Sequence, residues 1–334
     1  MVEATHTRYL AEDRSYFPLI KKDIHKRAQL EGFEQKRIFD IDLIVSEITS
    51  NLGKYAKQGE LLAGFFKSRN EEYLELISID KGPGIPHLSR MLQDGISSLA
   101  NSMGHGFGSI KRLSDTFQVY SVKEWGTIVL SRIYKKSSTR KTKLEIRPIV
   151  IAKPGEELSG DAYFSKQTAD YFKIFVGDGL GHGPDANFAV SEAITHFKAF
   201  LDPSPVETLR YLHQAIRKTR GAVATIATYH YKSEDWHIAG VGNISTKWIG
   251  QVNKSYISYN GIIGHNIPRT MNDTVINSGL YNKVIFCSDG IQSRWDNKFP
   301  LIDKYDPVIA AAAIYKDFAR MTDDTSVICA KIKL

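Results

Sequence analysis

The chain has 334 residues, of which 42% are hydrophobic, 24% charged and 11% aromatic, with a formal net charge of +7. These values exclude a disordered or fibrous chain and suit one or two globular domains. The lysine excess is spread along the sequence and reads as a solvated surface. No helix-turn-helix or base-stacking motif can be placed, so no nucleic-acid partner is expected.

In chain order, the first strong pattern is a helix over Phe39–Tyr55. Ile41, Ile44, Ile48, Leu52 and Tyr55 recur every three or four residues and make one apolar face. Tyr73–Ile79 reads as a strand followed by a Gly/Pro turn. Phe117–Val122 and Thr127–Ile133 read as a hairpin around Glu124-Trp125-Gly126. A polar, cationic stretch, Lys135 to Lys143, then marks a linker.

Beyond it strands dominate: Leu144–Ala152, Tyr171–Val176, Ala222–His230, Trp236–Val241, Lys283–Cys287 and Thr325–Ile332. Helical stretches lie at Asn187–Leu201, Val206–Lys218 and Pro307–Arg320. Strands adjoin strands without alternating helices, which favours two stacked sheets with flanking helices over a doubly wound sheet. The two cysteines, Cys287 and Cys329, sit in apolar strand-like runs and read as buried small hydrophobes. The N-terminus lacks a basic start followed by an apolar core, and no apolar run approaches the roughly 18–20 residues needed to cross a bilayer. The expectation is a cytoplasmic protein with no membrane partner.

Three short motifs carry chemistry in the first half. Glu47 and Asn51 are four apart on the periodic helix and project from one face. A carboxylate beside an amide can orient a nucleophile and hold a magnesium–phosphate complex. Asp80-Lys81-Gly82-Pro83-Gly84 follows a strand, and its carboxylate can accept from an exocyclic amine such as that of adenine. Gly104-His105-Gly106-Phe107-Gly108 leads into a helix, where free N–H groups can face a phosphate. Each alone has a plainer reading as a helix face or a turn. In this order, with Gly126-Thr127 opening the last strand, they make Thr7 to Tyr134 resemble the GHKL ATP-binding fold, in the branch of anti-sigma-factor serine kinases such as RsbW and RsbT. The resemblance implies that Asn51 coordinates magnesium on ATP and that Glu47 is a catalytic base. It also implies that Asp80 holds adenine, while Gly82, Gly84, Gly104, Gly106, Gly108 and Thr127 complete the nucleotide site. The same fold also serves as a binding module in which ATP is a structural or sensing ligand.

Four acidic motifs mark the second half: Ser159-Gly160-Asp161, Gly177-Asp178-Gly179-Leu180-Gly181-His182-Gly183, Ser288-Asp289-Gly290-Ile291 and Asp323-Asp324-Thr325. Any one could be a turn. Together, at strand ends and without Cys/His ligand pairs, they suit hard ions such as magnesium or manganese. Val176 to Gly183, with Arg220 to Thr225, Gly240 to Asn243 and Ser288 to Ile291, makes Leu144 to Leu334 resemble the metal-dependent type 2C (PPM) phosphatases of the SpoIIE/RsbU/RsbX branch. The resemblance implies two metal ions held by Asp161, Asp178, Asp289, Asp323 and the Gly179 carbonyl, with Asp178 bridging both. Asp324 is the weaker candidate in the last motif, and no phosphate-clamping arginine stands ahead of Asp161. His182 reads as a loop-ordering group and His265 as structural.

The fold expectation is therefore α+β: residues 1–134 form a GHKL-type α/β sandwich, 135–143 a basic linker and 144–334 a phosphatase-like α-β-β-α sandwich. The functional expectation is a protein serine/threonine phosphatase with an ATP-binding N-terminal domain that acts either as a serine kinase or as a binding module. The resemblance points to a phosphorylated STAS-domain anti-sigma antagonist as partner, and a homodimer is compatible with it.

Overall fold

The computed structural model describes residues 4–67, 71–86, 88, 103–136, 144–296 and 298–332. The chain divides into two compact units. One comprises Thr5–Lys141 with Pro300–Ala312; the other comprises Met1–Ala4, Thr142–Phe299 and Ala313–Leu334. The basic stretch expected as a linker lies outside the described residues from position 137 to 143.

The unit containing Thr5–Lys141 is built on one antiparallel five-stranded sheet. Its strands are β1 (Thr7–Leu10), β2 (Glu60–Lys67), β3 (Glu72–Asp80), β4 (Thr116–Val122) and β5 (Gly126–Tyr134), in the order β1-β2-β3-β5-β4. Helices α1 (Phe17–Leu30), α2 (Gln35–Tyr55) and α3 (Met103–Leu113) share a core with it. The periodic face of α2 supplies Ile41, Ile44, Ile48 and Leu52, and the alternating strand residues Leu74 and Leu76 meet it. The helix starts four residues earlier than its periodicity predicts.

The opposite face of the sheet holds a buried ion cluster. Glu75 and Arg132 are cross-strand partners on β3 and β5 and form an ion pair. Arg132 also grips Asp306 through both terminal nitrogens, and His6 Nε2 lies 3.3 Å from Glu75. Asp306 in turn accepts from the Val308 amide at 2.9 Å and so caps α6 (Pro307–Phe318).

The second unit stacks two antiparallel sheets. One contains β7 (Asp161–Gln167), β8 (Tyr171–Gly179), β9 (Ala222–His230), β10 (Asp235–Val241) and β13 (Thr274–Asn277), in the order β13-β10-β9-β8-β7. The other contains β6 (Leu144–Ile151), β11 (Ser245–Gly250), β12 (Lys254–Tyr256), β14 (Tyr281–Cys287) and β15 (Thr325–Ile332), in the order β12-β11-β14-β15-β6. Val176, Ile238, Trp248, Phe286 and Ile328 fill the space between the sheets. On the other face of the β7–β10 sheet, Phe175 and Ile226 meet Ile194, Phe197 and Leu209 of α4 (Pro184–Ala199) and α5 (Pro205–Ala215). Cys287 and Cys329 are free thiols buried in the strands, as their apolar context predicts. The architecture is α+β throughout.

Two strand lysines tie down the α4–α5 junction. Lys166 Nζ donates to the carbonyls of Phe197 and Phe200, at the open end of α4. Lys173 is fully buried and donates to the Asp202 carbonyl and to Thr208 Oγ1. Burial, helped by the neighbouring Lys166 charge, pushes the Lys173 ammonium down to about 7.

Candidate metal centre and nucleotide pocket

Antiparallel pairing of β7 with β8 places Asp161 directly opposite Asp178. Such partners share one sheet face, and like charges there repel. The two carboxylates come together because the flanking glycines let the backbone pack without side chains. A Cβ on Gly179 would sit 2.3 Å from the Ala186 carbonyl oxygen, and one on Gly160 would sit 2.9 Å from Ala186 Cβ. The Gly179 amide donates to the Gly160 carbonyl at 3.0 Å, which locks the two motifs.

The third and fourth motifs reach the same place through β14 and β15. Ser288 Oγ donates to Asp161 Oδ2 at 2.5 Å and accepts from the Ser326 amide at 2.9 Å. A Cβ on Gly290 would fall 1.9 Å from the Asp324 carbonyl oxygen, so only glycine allows these loops to touch. Asp324 is buried and latches the site: its carboxylate accepts from the Lys153 amide at 2.8 Å and the Gly160 amide at 2.7 Å. Asp323 is partly exposed and accepts from the Asp324 amide at 2.9 Å, while Asp289 accepts from Asn243 Nδ2 at 3.0 Å.

The electrostatics follow. Burial, then the charges of Asp324 and Asp289, push Asp161 up to about 8 against the donated Ser288 bond. Burial pushes Asp178 well above the usual carboxylate range, and the charges of Asp161, Asp289, Asp323 and Asp324 add to it. All the expected ligands therefore lie within Coulombic reach of Asp178. Among the described residues, no three His, Cys, Asp or Glu side chains yet close around one point. The outer carboxylates, Asp289 and Asp323, are held instead by protein donors at the rim. The donor set of carboxylates and a backbone carbonyl suits hard divalent ions. Buried, mutually repelling carboxylates are what such ions would neutralise, so the residues fit the group.

The histidines singled out from sequence have defined partners. His182 Nδ1 faces Glu156 Oε1 at 3.0 Å, across the loop after β8. His265 Nε2 donates to the Arg220 carbonyl at 2.7 Å. Arg147 pairs with Glu145.

In the other unit a pocket of about 130 Å³ is lined by Asn51, Tyr55, Asp80, Gly84, Phe107 and Thr127, among others. Asp80 and Thr127 are cross-strand partners on β3 and β5. Asp80 Oδ1 accepts from the Gly82 amide at 2.6 Å. Gly84 has φ of 75°, and a Cβ there would lie 2.3 Å from the Val122 carbonyl oxygen. Asn51 Nδ2 is buried with no hydrogen-bond partner among the described residues. Gly106 brings α3 against α2: a Cβ on it would meet Glu47 Oε2 at 2.8 Å and Asn51 Nδ2 at 3.2 Å.

The glycine run differs from its expected placement. It was expected to precede the helix, yet α3 begins at Met103, so Gly104, Gly106 and Gly108 lie within its first turns. The side-chain surroundings of residues 103–105 lie outside the described residues.

Two stacked antiparallel sheets thus carry the four acidic motifs at or near strand ends. Residues 168–333, just under half of the chain, match the model of the family Stage II sporulation protein E (SpoIIE). Over 87 residues the chain is 34% identical to serine/threonine-protein kinase RsbT of Bacillus subtilis (strain 168). That stretch is 26% of this chain and 65% of RsbT, so it spans just under two thirds of that relative. A solved structure from the bacterial stressosome, described as a modular system adapted to control secondary messenger signaling, is 30% identical. It covers 57% of this chain and 100% of its own, with a TM-score of 0.51. A solved structure of RsbX in complex with magnesium is 20% identical, covers 58% of this chain and 98% of its own, and has a TM-score of 0.48. No helix among the described residues is long and apolar enough to cross a membrane.

Proposed function

We propose that the chain hydrolyses phosphoserine or phosphothreonine on a partner-switching regulator, a phosphorylated STAS-domain protein, using divalent ions held by its second unit. The observation that carries this reading is the cross-strand pairing of Asp161 with Asp178, to which Ser288 of the third motif and Asp324 of the fourth are tied by hydrogen bonds to Asp161 and Gly160. Asp161, Asp178, Asp289, Asp323 and the Gly179 carbonyl would hold two magnesium or manganese ions. When bound, such ions lower the pKa of a water and draw charge from phosphoryl oxygens. Asp178 and Asp161, on rigid paired strands, fix where the phosphoryl group is presented. Ser288 keeps the Asp161 carboxylate oriented, and Asp324 holds the Lys153 and Gly160 amides so that the loops stay closed.

The first unit, in this reading, binds ATP with magnesium. Asp80 accepts from adenine, Asn51 would ligate magnesium through its side-chain oxygen while its unpartnered Nδ2 donates to a phosphate oxygen, and Glu47 beside it acts as the base in phosphotransfer. Similarity to RsbT supports this, as does the pocket that joins Asn51, Asp80 and Thr127. The regulator phosphorylated by one half would then be of the class dephosphorylated by the other. The test is incubation of the chain with manganese and a panel of phosphorylated STAS-domain proteins. Release of phosphate by the wild type and none by Asp178→Asn supports the reading. No release from any member, under conditions where manganese binds, counts against it.

A further inference from the structure

The loop that follows Asp178 and Gly179 at the end of β8 is bordered by an arginine to which the four acidic motifs give no role. Arg220 ends the turn before β9. Its backbone is clamped: the Leu180 amide donates to the Gly221 carbonyl at 3.1 Å, and His265 Nε2 donates to the Arg220 carbonyl at 2.7 Å. Gly221 has φ of 77°, and a Cβ there would lie 2.5 Å from His265 Cδ2, so the turn admits only glycine. The side chain lies over Gly181, three residues past Asp178, with Nη1 3.2 Å from where a Cβ would stand. Its Nη2 is 2.7 Å from Asp185 Oδ2, with both side chains exposed at 52% and 69%. Exposed ion pairs contribute little, so this partner is readily exchanged. A guanidinium matches a phosphoryl group in two-point geometry. Asp161 stands directly opposite Asp178 with the third and fourth acidic motifs tied to it and to Gly160, so a phosphate dianion entering there needs cationic partners.

We propose that Arg220 binds the phosphoryl oxygens of the substrate and exchanges Asp185 for them as the substrate enters. The proposal rests on the phosphatase reading. The test compares wild type, Arg220→Ala, Arg220→Lys and Asp185→Asn with manganese, using p-nitrophenyl phosphate, a phosphoserine peptide and inorganic phosphate as probes. Arg220→Ala is expected to raise KM for both substrates about 10-fold or more, the range for a lost charge-assisted bond. It is expected to weaken inhibition by inorganic phosphate by the same factor, with the melting temperature and manganese affinity unchanged. Arg220→Lys should recover part of the loss, and Asp185→Asn should lower KM. Unchanged KM and phosphate inhibition in Arg220→Ala would overturn the assignment, as would an effect confined to the peptide, which would place Arg220 on the surrounding peptide chain. A wild type without metal-dependent turnover of either substrate would overturn the phosphatase reading, and this proposal with it.

Discussion

Asp161 and Asp178 face each other across the β7–β8 pair, a buried and a half-buried carboxylate on one sheet face with Ser288 donating to the first. Proteins place like charges in this way at a cost in stability, because burial and repulsion both favour the neutral acids. The arrangement makes sense where something positive is to be bound. Its energetic signature is therefore measurable in the metal-free protein.

The first expected outcome concerns stability. Asp161 titrates at about 8 in the fold against an ordinary 3.8. Between those values the folded state binds more protons, so metal-free stability falls as pH rises from about 4 to about 8. Asp161→Asn removes that loss. The variant should melt several degrees above metal-free wild type at pH 8, and the gap should close towards pH 4. Calorimetric scans across this range check it.

The sign is opposite at Lys173. Its ammonium titrates at about 7 in the fold and at an ordinary 10.5 when unfolded. Between these values the unfolded chain binds more protons, so this group makes stability rise from pH 7 towards 10.5. Lys173→Met should flatten that part of the profile in urea titrations. It should also loosen the α4–α5 junction, because the bonds to the Asp202 carbonyl and Thr208 are lost. Faster amide exchange at residues 200–208 would report the loosening.

Gly290→Ala tests the contact between the third and fourth motifs. The added methyl would overlap the Asp324 carbonyl oxygen. The loops must separate, at roughly 1–3 kcal/mol as for other overpacked sites. Denaturant unfolding should show that loss, and manganese affinity should fall with it.

In the nucleotide pocket, Asp80→Asn should weaken binding of a fluorescent ATP analogue by roughly 10-fold, from the lost carboxylate acceptor. Glu47→Gln should bind the analogue normally and lose phosphotransfer to a STAS-domain protein. Equal phosphotransfer by Glu47→Gln and wild type would remove Glu47 as the base, and no phosphotransfer by a wild type that binds the analogue would assign this unit a binding role alone.

Much of this was legible in the chain. Strands buried on both faces, such as Ala222–His230 and Thr325–Ile332, stand out as apolar runs, and α2 announces itself by its period. What escaped was mostly half-exposed. Helix α1 buries only Ile20, Ile24 and Ala28, a stripe too narrow to read among its lysines. Strand β7 is polar along most of its length and lies at a sheet edge. The end of β8 was expected at Val176 because Gly177-Asp178-Gly179 resembles a turn. The strand continues to Gly179 because Ala222, Val223 and Ala224 on β9 pair with it. That extension is what sets Asp178 opposite Asp161. The acidic motifs were visible as strand-end signals, whereas Arg220, Ser288 and Asn243 act through contacts between distant segments that no local pattern encodes.

Calorimetric titration with manganese reaches the central claim most directly. The account predicts about two ions bound per chain by wild type, with binding greatly weakened in both Asp161→Asn and Asp178→Asn and protons released on binding at pH 7. Undiminished binding in both variants, or no binding by a folded wild type, would contradict it.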